Sequence, residues 1–178
     1  MPLTSEITAY DACWPGQYDR AAAALNAVFG AACLSLHHVG STAVAGLSAK
    51  PEIDILAVVS TSESLAVWAR ALRRLGYRRG GDLSHGHHFF KRDHGGVRTH
   101  KLHICRVGHP MIMRMLALRD HLRTHAGDRA AYDALKRRLA QENRFGIAEY
   151  LNAKAPFLDA LYDRIQVTAS RDPVARKE

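Results

Sequence analysis

The 178 residues are 47% hydrophobic and 24% charged, with a formal net charge of +8. That balance excludes a disordered chain, and the length suits one domain with a real core. No apolar run of about 18 residues is present, so no membrane-spanning helix is expected.

The basic surplus invites an anionic partner. A nucleotide is favoured over nucleic acid, because the charges are spread along the chain and only 7% of residues are aromatic. Nucleic acid stays open as the weaker partner, and a generic basic surface explains the charge equally well. The N-terminus shows no basic segment leading into an apolar run, so a cytoplasmic location is expected. Cys13, Cys33 and Cys105 are scattered without metal spacing and read as buried or half-buried thiols.

In chain order, Trp14-Pro15 opens a helical pattern through about Val28, with Ala22, Leu25, Val28 and Phe29 at helical spacing. Leu34 to Val39 reads as a strand, and Ile53 to Val59 as a buried one. Thr61 or Ser62 is placed to cap a helix ending at Leu75-Gly76. Tyr77 to Arg79 reads as a short strand, and Gly80 to Gly86 as a loop. His87 to Arg92 and His100 to Val107 alternate as a hairpin turning at residues 93–96. Three helical segments follow: Met111 to His125, Asp128 to Asn143, and Ala148 to about Val167. The expected class is α/β (α+β): a small mixed sheet flanked by helices, with a helical C-terminal part. Its divisions are an α/β core over about 10–108, helices over about 109–167 and a frayed tail at 168–178, all in a single domain.

Residues 38–59 carry the chemistry. A strand runs into Gly40-Ser41, a small-residue loop follows to Lys50-Pro51, and a second strand carries Glu52 and Asp54. Strand periodicity points both acids to one face, where they repel unless a cation sits between them. The Gly-Ser turn offers N–H groups and a hydroxyl that suit a phosphate. The alternatives are an ordinary turn and, for Asp54, a buried salt bridge to an Arg. The segment Gly40 to Lys50 is not a P-loop, because Lys50 does not follow the second Gly and no Ser or Thr comes after it.

Gly40-Ser41 followed by Glu52-Ile53-Asp54-Ile55 resembles the signature of the nucleotidyltransferase superfamily. The longer run from Gly40 to Ile55 resembles the hallmark of the GrpB family, a nucleotidyltransferase-like group. Trp14-Pro15, Leu75-Gly76-Tyr77, Phe89 to Arg92, Thr99-His100-x-Leu102-His103, Leu118 to Arg123, Tyr132 with Leu135-Lys136, and Tyr150 with Lys154 resemble that family in order, over about residues 10–165. The superfamily's third acid has no counterpart, and His103 stands in the strand that would carry it.

The resemblance implies magnesium held by Asp54, Glu52 and His103, with His103 alternatively acting as a general base. Gly40, Ser41, Thr42 and Lys50 would cradle phosphates. Arg119 and Arg123, four apart on one helix face, and Lys136 would line the opposite side of the cleft. Lys91 and Arg92 are further candidates, on opposite faces of a strand. The alternative for these cations is a solvated helix face. Eight of the 11 histidines lie between residues 37 and 103, which raises a His-held transition metal as a rival cofactor.

Three functions follow. One is magnesium-dependent transfer of a nucleoside monophosphate from a nucleoside triphosphate to an unknown hydroxyl acceptor. Another is a nucleotide- or cofactor-binding module without turnover, in line with GrpB-like segments fused to a coenzyme A biosynthetic kinase. The third is a His-metal phosphoesterase.

Overall fold

The computed structural model describes residues 6–60 and 65–171, with side chains to residue 165. Helix α1 spans Trp14–Phe29, with Pro15 in its first turn, where a missing N–H has no helical partner to lose. Strands β1 (Cys33–Val39) and β2 (Ile53–Val59) follow, then α2 (Leu65–Arg74). Strands β3 (Tyr77–Ser84), β4 (His87–His94) and β5 (Val97–Arg106) precede helices α3 (Pro110–Thr124), α4 (Ala126–Glu142) and α5 (Ile147–Arg171).

The five strands form one mixed sheet in the order β1-β2-β5-β4-β3. Only β2 and β5 run parallel, and α2 with the β3-β4 hairpin makes the long connection that a parallel pair needs. The remaining neighbours are antiparallel.

Period-two alternation divides the sheet into two faces. Ile53, Ile55, Ala57 and Val59 of β2 join Leu102 and Ile104 of β5 in a core with Trp14, Leu25 and Phe29 of α1 and Trp68 and Leu72 of α2. On the other face, Leu56, Val58 and Cys105 pack with Met111, Ile112, Met115 and Leu116 of α3. A third cluster joins Val44 and Leu47, from the loop after β1, to Leu122, Tyr132 and Leu161 of the last three helices. Those helices and that loop therefore wall a cleft over the second face.

Three sequence expectations need correction. Residues 80–84 are not loop: β3 runs on to Ser84, because pairing with β4 absorbs its irregularities as bulges near Gly81 and Ser84. The β4-β5 hairpin turns on Gly95-Gly96 alone, both at positive φ (58° and 80°), so its strands are longer than expected. Helix α5 continues through residues 168–171, which were expected to be frayed. The proposed caps Thr61 and Ser62 lie outside the described residues. Among the described residues no helix is long and apolar enough to cross a membrane.

Candidate functional site

The cleft is organised where β1 meets β2. Val39 pairs with Asp54, so the next residue, Gly40, lies directly beside that carboxylate. Gly40 has φ 71°, and a Cβ there would stand 3.0 Å from the Asp54 Cβ and Cγ. The backbone conformation and the close approach each require glycine. A short turn over Ser41–Ala43 follows. Thr42 is buried within it. Its hydroxyl donates to the Glu52 carbonyl at 3.2 Å and lies 3.0 Å from His38 Nε2. Since the hydroxyl proton is committed to Glu52, the proton of that second bond comes from His38.

The two acids do have a cation between them, and it comes from the neighbouring strand. Asp54 pairs in register with Lys101 of β5. Lys101 Nζ stands 2.5 Å from Glu52 Oε2 and 3.8 Å from Asp54 Oδ1. Burial raises the Asp54 pKa, Lys101 pulls it back and Glu52 adds to the rise. The Lys101 pKa is raised, chiefly by Asp54.

Two cavities meet at Asp54 and Ser41. The first, about 100 Å³, is lined by Lys50, Lys101, Lys136 and Lys154 together with Ser41, Glu52 and Asp54. The Tyr150 ring lies between two of these cations, 5.3 Å from Lys50 Nζ and 5.4 Å from Lys154 Nζ. Burial first, and neighbouring cations after it, depress Lys136 to about 7 and Lys154 to about 8. The second cavity, about 170 Å³, is walled by Met115, Leu118, Leu122, Tyr132 and Tyr162, with His103 and Arg119 at its polar side.

The loop between these strands is tied down by α4. Ser48 N–H donates to Asp133 at 2.7 Å, the Ser48 carbonyl accepts from Lys136, and its hydroxyl accepts from Arg137 at 2.5 Å.

Gly40, Ser41, Thr42, Lys50, Glu52, Asp54 and Lys136 are thus brought together. His103 lines only the second cavity, where its Nδ1 is 2.9 Å from His87 Nε2 and burial holds its pKa to about 4. Arg119 reaches the same cavity and donates to the His38 carbonyl at 3.2 Å. Arg123 lines neither cavity and donates to the Ala43 carbonyl at 3.0 Å, bracing the turn. Lys91 faces Lys101 across β4-β5 but lines neither cavity. Arg92 is turned to the core face, 5.2 Å from the Tyr77 ring and 2.8 Å from His100.

Sequence reasoning did not place Lys101, Lys154 or Tyr150 in the site. Lys101 had a signal, since it shares a strand face with His103, but its partner acids lie about fifty residues away. Of the cysteines, Cys13 is exposed rather than buried, while Cys33 is half-buried and Cys105 buried.

The mixed sheet and the helices that back it form a nucleotidyltransferase-like fold. The solved Cid1 poly(U) polymerase in its MgGTP-bound form shares this fold at a TM-score of 0.51 and 15% identity, over 73% of this chain and 43% of that one. The chain belongs to the GrpB family: the family model described as "GrpB protein" matches residues 4–164. The solved GrpB protein of Enterococcus faecalis superposes with a TM-score of 0.76 at 31% identity, over 88% of this chain and 99% of that one. The UPF0157 protein BH1888 of Halalkalibacterium halodurans is 37% identical over 94% of this chain and 86% of its own length. The UPF0157 protein YqkA of Bacillus subtilis is 33% identical over 84% of this chain, which spans only 43% of that relative.

Proposed function

We propose that the cleft binds the triphosphate of a nucleoside triphosphate, and that Asp54 makes it a site of nucleotidyl transfer to a hydroxyl acceptor. The observation that carries this reading is the set of four lysines converging with Ser41 on Asp54 in one cavity. Burial chiefly, and neighbouring cations after it, disfavour the charged forms of Lys136 and Lys154, and the ammonium groups that share the cavity repel one another. A polyanion relieves that repulsion, and no neutral ligand can.

A magnesium ion fits Asp54 alone better than a two-carboxylate cradle. Asp54 borders both cavities, and burial disfavours its charge, a demand that a bound cation would meet. The Lys101 ammonium already lies against Glu52. One carboxylate completed by substrate phosphates is an ordinary magnesium site. When bound, the ion would neutralise charge developing on the phosphate oxygens.

The chain's own groups do the positioning. Lys50, Lys136 and Lys154 hold the β- and γ-phosphates. The second cavity offers Tyr132 and Tyr162 to the base or the acceptor. The acceptor oxygen bonds to the α-phosphorus while the bond to the bridging oxygen breaks. Pyrophosphate leaves with that electron pair, and the hydroxyl proton passes to solvent. His103, with a pKa near 4, is a weak base and serves better as a neutral hydrogen-bonding group.

One observation favours a second reading, a binding module without turnover. Lys101 supplies the acids with a permanent cation, which allows phosphate to bind with no divalent ion. Calorimetric titration with ATP, GTP, CTP and UTP, with magnesium or with EDTA, separates the readings. Binding that needs magnesium and weakens about tenfold in Asp54→Asn supports transfer. Equal binding in EDTA supports the module. No binding of any triphosphate would sink both.

A further inference from the structure

A second constellation lies on the cleft face of the sheet, away from the lysines. His87 of β4 pairs in register with Cys105 of β5. His109, at the N-cap of α3, brings its ring to 5.4 Å from that of His87. One donor atom from each of His87, Cys105 and His109 lies within 4.8 Å of the other two. A tetrahedral zinc with the usual Zn–N and Zn–S lengths needs its donors about 3.3 to 3.6 Å apart. The side chains therefore need to close by little more than an ångström.

His87 itself points to a ligand. It is 1% exposed, and its Nδ1 is buried with no hydrogen-bond partner among the described residues. Native structures rarely leave a buried nitrogen orphaned, because its lost hydration is not replaced. Nothing in the nucleotide site uses this atom. Its other nitrogen, Nε2, is 2.9 Å from His103 Nδ1.

We propose that His87, Cys105 and His109 form a zinc site, with a water in the fourth position. Two imidazoles and a thiolate are a donor set for zinc rather than magnesium. His109 must give up one interaction to join. Its Nδ1 accepts from Met111 N–H at 3.1 Å, and its Nε2 is 3.0 Å from Ser84 Oγ. Losing one such bond costs little beside what three zinc-ligand bonds return.

The site reaches the cleft through one hydrogen bond. A metal on His87 Nδ1 fixes the His87 proton on Nε2, which donates to His103 Nδ1. His103 then keeps its proton on Nε2, at the wall of the second cavity. The metal thereby sets the tautomer of a residue lining the candidate site, as outer-shell partners of metal-bound histidines do.

The test uses the full chain after dialysis against EDTA, titrated with Co²⁺ as the spectroscopic probe and then with Zn²⁺. The expected result is one equivalent of Co²⁺ with a thiolate-to-cobalt charge-transfer band, displaced by Zn²⁺. Cys105→Ser abolishes the band, and His87→Gln and His109→Gln each weaken binding about tenfold or more. His109 is half-buried at a helix start, so His109→Gln decides the matter if the buried variants unfold. Absence of the band in wild type, or equal affinity in wild type and His109→Gln, overturns the proposal. Nucleotide binding plays no part in this readout, so the two sites stand or fall separately.

Discussion

The two faces of the sheet are built from the same strands yet follow opposite rules. Toward α1 and α2, β2 shows Ile53, Ile55, Ala57 and Val59, all at or near zero exposure, and the pattern is simple burial. Toward the cleft it shows Asp54, and β5 shows Lys101 and His103, groups whose protonation is distorted by the site they form. The first face is apolar core along the whole of β2, whereas the second is core only where Leu56, Val58 and Cys105 meet α3. The second stores electrostatic tension that a ligand would relieve. Separating stability from binding, face by face, tests that difference.

Acid should produce the largest effect, and it acts on both faces, because His87 and His103 toward the cleft are held near 4 just as two histidines of the core face are. His38 stacks on Tyr18 of α1, and His100 lies in the core face against Tyr77. Burial holds both near 4, below the ordinary 6.5. As pH falls through 6.5 the unfolded chain takes up protons that the folded chain refuses. The contribution of these two histidines is therefore complete above 6.5, declines between 6.5 and 4, and levels below. The expected loss is on the order of 3 kcal/mol per histidine, read by urea unfolding across that range. A flat profile would break the assignment.

Lys101→Met comes next and is the exception on the cleft face. It removes the cation that both acids share, leaving the buried Glu52 and the part-buried Asp54 to repel, and should cost about 3–5 kcal/mol. Ile55→Ala should cost about 3 kcal/mol through the cavity it opens, with triphosphate affinity of the folded protein unchanged. Gly40→Ala forces a side chain into a left-handed φ and against Asp54, for about 2 kcal/mol. It should lower stability and ligand affinity together. Asp54→Asn sharpens the comparison most, since burial already disfavours its charge. Melting should stay level or rise, while magnesium-dependent triphosphate binding weakens about tenfold, or about 1.4 kcal/mol.

Much of this was readable before the structure. The Gly40-Ser41 turn and the Glu52/Asp54 pair lie within fifteen residues, so strand periodicity suffices to place them. The helices announced themselves by apolar spacing. Lys101 was not readable as the acids' partner, because the parallel register of β2 and β5 crosses a long connection that sequence does not measure. Lys154 sat in a recognised run with Tyr150, but helical spacing does not say which side of α5 meets the cleft. Residues 80–84 were misread because Gly80-Gly81 signals a turn, while the ladder offered by β4 outweighs that local preference. Arg92 illustrates the coin toss of alternation: with Lys91 and Arg92 adjacent, one had to be lost to the far face, and it was the arginine.

The three hydrogen bonds from α4 to Ser48 have one more consequence. A loop fastened at both its amide and its carbonyl has lost its wandering before any guest arrives. Capture then needs no folding-over of the chain, and the pace of association is set by diffusion and by shedding water from the ammonium groups. Salt, by screening the approach, should slow arrival more than it hastens departure.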